Sequence, residues 1–274
     1  MTLDPSRLPE GIDTGKANIA RVYDYWLGGT SNFRADQDAA RAFIAVEPRV
    51  REFVRAVRAC LGRAVQFLAE SGIRQFLDIG SGIPTRRNVH EVAQEVVPGC
   101  RVVYVDIDPV AVAHAQYLLE DNPDAAAIQG DLRQPGKILA DPVTQLLIDF
   151  DRPVAVLLSA VLHFIPDSED PWRIVATLRD ALAPGSYLLV GHATTENRPD
   201  VANLETAYKR KVAAEGAARS RADIARFFDG FDLIDPGLVW MPEWRPDSPQ
   251  DVPQDPEKFL ALVGVGRLDG AGSG

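Results

Sequence analysis

Asp78 stands two residues before Gly80 in the stretch Phe76-Leu77-Asp78-Ile79-Gly80-Ser81-Gly82-Ile83-Pro84-Thr85. The apolar run reads as a buried strand that turns at glycine and enters a helix. Gly80, Ser81 and Gly82 let backbone approach a ligand with little side chain in the way, and Asp78 sets a carboxylate beside it. A dinucleotide fingerprint asks for G-x-G-x-x-G, with a pyrophosphate on the helix N-terminus. Here Thr85 takes the third glycine's place and Pro84 precedes it. Asp78 would repel a pyrophosphate, whereas it attracts a cationic α-amino group. A bare tight turn is the plainer alternative.

Three later segments carry matching chemistry. Asp106 ends the run Val102-Val103-Tyr104-Val105, 24 residues after Gly82. An acid about 20 residues past a glycine turn is placed to hold ribose hydroxyls, and Ile107 can pack on an adenine face. Asp108-Pro109 reads as a helix cap followed by proline at the first helical position. In Gly130-Asp131-Leu132 the acid can accept from an adenine amino group and the Leu132 amide can donate to the ring; a turn aspartate competes. Ser159 and Ala160 are small enough for a methionine chain to lie against backbone. His163 follows them as a candidate general base, with a packed structural histidine as the competing reading. His192 and Thr194 end a further strand and can face an acceptor. S-adenosylmethionine has the cationic amino group and no phosphate, so it is the expected cofactor.

The elements that must position these residues alternate. Strands are expected at 75–79, 101–105, 125–129, 153–158, 186–191, 231–235 and 259–265. Helices are expected at 86–97, 109–120, 171–182, 200–214 and 221–228. Continuous apolar strands fit a parallel sheet covered on both faces, which right-handed crossovers wind doubly. Prolines from Pro236 to Pro256 exclude a regular helix between the last two strands, so these are expected to pair antiparallel. Upstream, Ala35–Glu47 is a short helix and Arg49–Glu70 a strong amphipathic one; Arg51, Arg55 and Arg58 lie on its other face, read as solvated or, as the sharper alternative, as meeting an anionic partner. Residues 1–20 read as loosely ordered and 269–274 as a frayed tail. Tyr23, Tyr25, Trp26 and Phe33 gather around Gly28-Gly29 and Asn32. They read either as packing or as a lid over the cofactor, with Asn32 or Tyr25 bonding the methionine end or the acceptor, and Tyr25 as a second candidate base.

Taken in order, Asp78–Gly82, Val105–Pro109, Gly130–Leu132, Val161–Phe164 and Leu182–Ser186 resemble the class I S-adenosylmethionine-dependent methyltransferases over about residues 70–265. The chain is more similar still to the actinobacterial S-adenosyl methyltransferase family, formerly a domain of unknown function. The residues carrying that likeness are Ala20–Gly29 with Asn32-Phe33, Ser81–Thr85 and Asn88–Ala93. Pro84 departs from the wider class, where glycine is usual. The resemblance implies an α/β, doubly wound, mostly parallel seven-stranded sheet (a Rossmann-like methyltransferase fold), its last strand reversed, with an N-terminal helical cap. It supplies the cofactor and leaves the acceptor open.

Composition sets the outer limits. The chain of 274 residues has net charge −10, which argues against a nucleic-acid backbone as partner. Cys60 and Cys100 form no framework or zinc spacing, and no metal is expected. No signal peptide or membrane-length apolar run is read, so a cytoplasmic protein is expected. The domains are expected as a cap or lid over 1–70, a cofactor-binding core over 71–268 and a tail over 269–274. The function expected is methyl transfer to a small-molecule acceptor. The alternatives are a non-catalytic S-adenosylmethionine-binding sensor or assembly protein, and a nicotinamide-dependent oxidoreductase.

Overall fold

The computed structural model describes residues 12–85, 87–196 and 217–270. Three helices come first: α1 (Ile19–Leu27), α2 (Arg34–Val46) and α3 (Val50–Glu70). The sheet is then laid down by β1 (Gln75–Ile79), β2 (Arg101–Asp106), β3 (Ala125–Gln129), β4 (Ala155–Ser159) and β5 (Tyr187–Ala193). Between these strands lie α4 (Val89–Val96), α5 (Pro109–Leu118), α6 (Pro135–Leu139), α7 (Pro142–Leu147) and α8 (Pro171–Arg179). After them come α9 (Arg221–Ala225), β6 (Asp232–Leu233), β7 (Val239–Trp240) and β8 (Ala261–Arg267).

The strand order is β3-β2-β1-β4-β5-β8-β6, with β7 also on β8. The first five are mutually parallel. β8 inserts antiparallel beside β5, and both short strands pair antiparallel with β8. The sheet thus has the seven expected positions, with the sixth split into two fragments. Pro236 lies between them and has no N–H to give to a ladder. Order reverses between β1 and β4, and in such sheets ligands bind at the carboxyl ends of the strands beside that reversal.

Side-chain parity assigns each strand residue to a face. Phe76, Val102, Tyr104 and Leu157 pack with Val57, Leu61 and Leu68 of α3 and with Val89 and Val112. Leu77, Ile79, Val103, Val105 and Val156 pack on the other face with Ile138, Leu147, Ile174, Leu178 and Ile224. Asp78 shares parity with Phe76, and Asp106 with Tyr104, so both carboxylates belong to the α3 side. α3 therefore covers the sheet with its own apolar stripe. A smaller cluster of Val22, Trp26, Ala39, Ala40, Val50 and Val54 joins α1 and α2 to the start of α3.

Several elements differ from the sequence expectation. α1 starts within the segment read as loosely ordered. Asn18 caps it by accepting from the Ala20 amide at 2.8 Å, and Gly28 ends it in the left-handed conformation. α6 and α7 were not expected: they are five and six residues long, too short to show periodicity. Asp141 and Pro142 nonetheless spell a helix start. The helix expected at 200–214 lies outside the described residues. Among the described residues, no helix is long and apolar enough to cross a membrane.

Candidate cofactor and acceptor site

One cavity of about 640 Å³ opens at the carboxyl ends of β1 to β5 and is roofed by α1 and α3. Its lining brings together Asp78, Gly80, Ser81, Gly82, Asp106, Ile107, Asp131, Leu132, Ser159, Ala160 and His163. These come from four separate strand ends and meet in one place.

Asp78 is 3% exposed, and its carboxylate has no hydrogen bond to the described residues. Burial pushes its carboxyl up to about 7; Arg58 opposes that shift and Asp106 adds to it. A buried carboxylate without a hydrogen-bond partner is costly, and this one lines the cavity. Asp106 is better held. Its Oδ2 accepts the Gly82 amide at 2.7 Å and its Oδ1 the Asp108 amide at 2.9 Å. Burial still raises it to about 6 against those bonds.

The two glycines do different work. Both have positive φ, 76° at Gly80 and 67° at Gly82. A Cβ on Gly80 would strike Val161, whereas one on Gly82 meets nothing within 4 Å and would project into free space. Gly80 therefore serves packing between two strand ends, and Gly82 leaves room for a ligand. Ile107 is 49% exposed, an apolar face offered beside Asp106.

Asp131 is engaged. Arg133 Nε donates to its two oxygens at 2.9 and 3.0 Å. Burial pushes the Asp131 carboxyl up, but the Arg133 bonds outweigh it and hold the group below the usual range. Ala160 sits at φ 61°, left-handed for a residue with a Cβ, and its amide donates to Gly191 at 2.9 Å.

His163 lines the cavity from the turn 162–164, its ring 5.6 Å from that of His192. Burial, then the nearby Arg219 charge, pulls His163 down to about 4. His192 is fully buried and does not line the cavity. Its Nδ1 donates to the Ala193 carbonyl at 2.6 Å, and its Nε2 accepts from Arg219 Nη1 at 2.7 Å. The expectation that His192 faces an acceptor is corrected: Arg219 holds it in the core. Thr194 borders the cavity, but its hydroxyl donates to the Arg219 carbonyl at 2.9 Å. The buried Arg219 also donates to the carbonyls of Leu162 and Ile165 and to Asp167, fixing the His163 loop from behind.

Tyr25 and Asn32 are placed elsewhere, since neither lines the cavity. Tyr25 lies on the outer side of α1, its ring under Arg41 and Arg51 and its hydroxyl accepting from Arg41 at 3.2 Å. Asn32 Nδ2 donates to Asp24 at 2.7 Å and to the Gly29 carbonyl at 3.1 Å. The Ser31 amide donates to the same Asp24 oxygen at 2.9 Å. Asp24 thus organises the turn after α1, and a Cβ on Gly29 would collide with its carboxylate. That fixed turn accounts for the Asp24, Gly28-Gly29 and Asn32 pattern without a ligand.

The aromatic lining comes from Tyr23 and Trp26 of that expected group, joined by Phe43, Phe53, Phe164 and Phe259. Arg58, unlike Arg51 and Arg55, is not on the solvated face: it borders the cavity and is only partly exposed. The signal was present: Arg58 follows buried Val54 by four residues and precedes buried Leu61 by three, at the edge of the apolar stripe.

This donor set fits S-adenosylmethionine: an unpaired acid for an ammonium, a second acid for ribose hydroxyls, open space above Gly82 and an exposed apolar face. Comparisons with known proteins agree. A protein of Thermobifida fusca YX, described as a candidate methyltransferase, is 42% identical with a TM-score of 0.90, covering 96% of this chain and 98% of its own. A DUF574-family protein from Streptomyces avermitilis MA-4680 is 39% identical with a TM-score of 0.88, covering 93% and 98%. An O-methyltransferase family protein from Burkholderia thailandensis shares the fold at 14% identity and a TM-score of 0.51, covering 85% and 63%. No curated protein matches. The S-adenosyl methyltransferase family model matches residues 5–269. The chain belongs to the S-adenosyl methyltransferase family and is an S-adenosylmethionine-dependent methyltransferase.

Proposed function

We propose that the protein methylates a small molecule with an apolar, flat body, seated between the strand ends and the α1–α3 roof. The observation that carries the site assignment is Asp78, a buried carboxylate without a protein partner, beside Asp106 in the same cavity. Asp78 receives the cofactor's ammonium, and Asp106 its ribose hydroxyls, while Gly82 and Asp108 hold that carboxylate still. Ile107 and Leu132 flank the adenine, and Asp131 takes its amino group on lone pairs that Arg133 leaves open. Ser159 and Ala160 give the methionine chain its path.

The cofactor supplies an electrophilic methyl with a good leaving group, so alignment can carry much of the rate. Trp26, Leu27, Phe43, Phe53 and Phe259 furnish an apolar wall that orients an acceptor and excludes water. His163, held neutral by burial and then by Arg219, accepts a hydrogen bond from the acceptor's nucleophile and orients its lone pair. A group titrating near 4 is a weak proton acceptor at neutral pH. The cap is built on α1 and α2, with α3 also roofing the sheet.

Asp106→Ala should abolish S-adenosylhomocysteine binding in calorimetry. An unchanged affinity would sink the ribose assignment.

A further inference from the structure

The ring of His163 has no hydrogen bond to the described residues, and its Nδ1 is buried without a partner. Nothing on the ring itself therefore fixes where it points. The backbone around it is held instead, and by one short segment. Arg219 donates from Nη1 to the Leu162 carbonyl at 3.1 Å and from Nη2 to the Ile165 carbonyl at 2.7 Å. The Ala217 amide donates to the His163 carbonyl at 2.7 Å. The carbonyls on either side of the imidazole, and its own, thus all accept from residues 217–219.

That segment is anchored in turn. The Arg219 amide donates to the Ala193 carbonyl and the Thr195 amide to the Arg219 carbonyl, both at 3.1 Å, which joins residue 219 to the end of β5 as a parallel bridge. The guanidinium lies over the Trp172 and Phe227 rings at 5.3 and 5.6 Å. Its other donors go to Asp167 and to His192 Nε2, so all five of its N–H groups are engaged. None of these partners belongs to the strand ends that carry Asp78, Asp106 and Asp131. The clip and the cofactor cradle are separate devices.

We infer that Arg219 is a positioning residue for methyl transfer: the 217–219 clip aims the His163 imidazole into the acceptor half of the cavity, independently of the cofactor cradle. The inference rests on His163 as the group that meets the acceptor. Placement matters at that point, because a shift of about 1 Å in a reacting geometry can cost about 100-fold in rate. The Arg219 charge also opposes protonation of the ring. The other ionisable groups sharing its surroundings are His192 of β5, Asp167, Glu169 with its partner Arg133, Asp78 at the end of β1 and Arg58 of the roof. Substitutions at Arg219 leave all six in place.

Carbon-resolved proton NMR of the full chain tests the inference. There are four histidines, and His163→Gln identifies the ring signal in question. Wild type should give one sharp His163 signal that stays in the unprotonated form down to about pH 5. Arg219→Met should broaden or split that signal and move its titration up toward the ordinary histidine range, about 6.5. Arg219→Lys keeps charge without the fork, so its signal should stay unprotonated over the same range yet lose the single sharp form. Both variants should bind S-adenosylhomocysteine within about twofold of wild type in calorimetry, which reports an intact fold and cradle. A sharp His163 signal with wild-type titration in Arg219→Met overturns the inference, and loss of S-adenosylhomocysteine binding in Arg219→Lys overturns the independence of the clip. A wild-type His163 that is already split, or that titrates near 6.5, overturns it with no variant needed. Asp106→Ala decides the cradle reading separately, since it should remove S-adenosylhomocysteine binding and leave the His163 signal where it is.

Discussion

At Asp78 the chemistry of the site is written into stability. An ordinary aspartate titrates near 3.9 when unfolded, but this one is held near 7 by burial. Between those values the folded protein keeps a proton that the unfolded chain has released. Stability of the unliganded protein therefore falls as pH rises from about 4 through about 7. Asp78→Asn removes the buried charge. It should be more stable than wild type at pH 8 by roughly 1–3 kcal/mol, with the gap closing toward pH 4, in urea unfolding. S-adenosylhomocysteine affinity should show the opposite trend and rise across pH 6 to 8 in wild type, because the ammonium is held by the ionised form. Asp78→Asn should flatten the upper part of that rise, and an identical profile in both proteins would count against the ammonium role. Asp78 and Asp106 were legible because strand parity and a glycine turn fix where such residues point. Tyr25 and Asn32 were not, because the same letters that suit a ligand also suit a turn built on Asp24. Only the direction of the Asp24 side chain separates the two.

Single elements show the same split between what pattern fixes and what contact fixes. α3 was readable from its stripe, while the place of Arg58 at the stripe's edge depends on how closely the helix lies over β1. The sheet was readable from apolar runs, and the sixth position was broken where proline denies a donor. α1 was hidden because its nine residues carry tyrosines and charges among the apolar positions. The turn that follows it is rigid: Gly28 adopts φ 85° and Gly29 rests on the Asp24 carboxylate. Gly29→Ala should cost about 1–3 kcal/mol by overpacking, read as a lowered unfolding midpoint. A variant as stable as wild type would mean that the turn yields easily and that these glycines serve movement instead.

Over the whole molecule, the N-terminal helices and the cofactor end of the sheet share one buried ion cluster. Arg21 of α1 lies 3.6 Å from Asp36 of α2 and 3.5 Å from Asp108, whose carboxylate also accepts the Val110 amide at the start of α5. All three are buried, and the Asp108 amide holds Asp106. The sequence had shown Asp108 as a helix cap; its second partner could not be read, because Arg21 lies 87 residues earlier. Lifting α1 and α2 away would carry Arg21 and Asp36 off together and leave the Asp108 carboxylate without its cationic partner, which costs stability. In hydrogen exchange, amides of α1 and α5 should then open with one common free energy, and S-adenosylhomocysteine should slow both together. Independent opening of α1 at a lower free energy would show the roof to be a separate foldon. A common opening means that access to the cavity is governed by the stability of the fold itself, so any substitution that weakens the core will also shorten the residence time of what is bound beneath the roof.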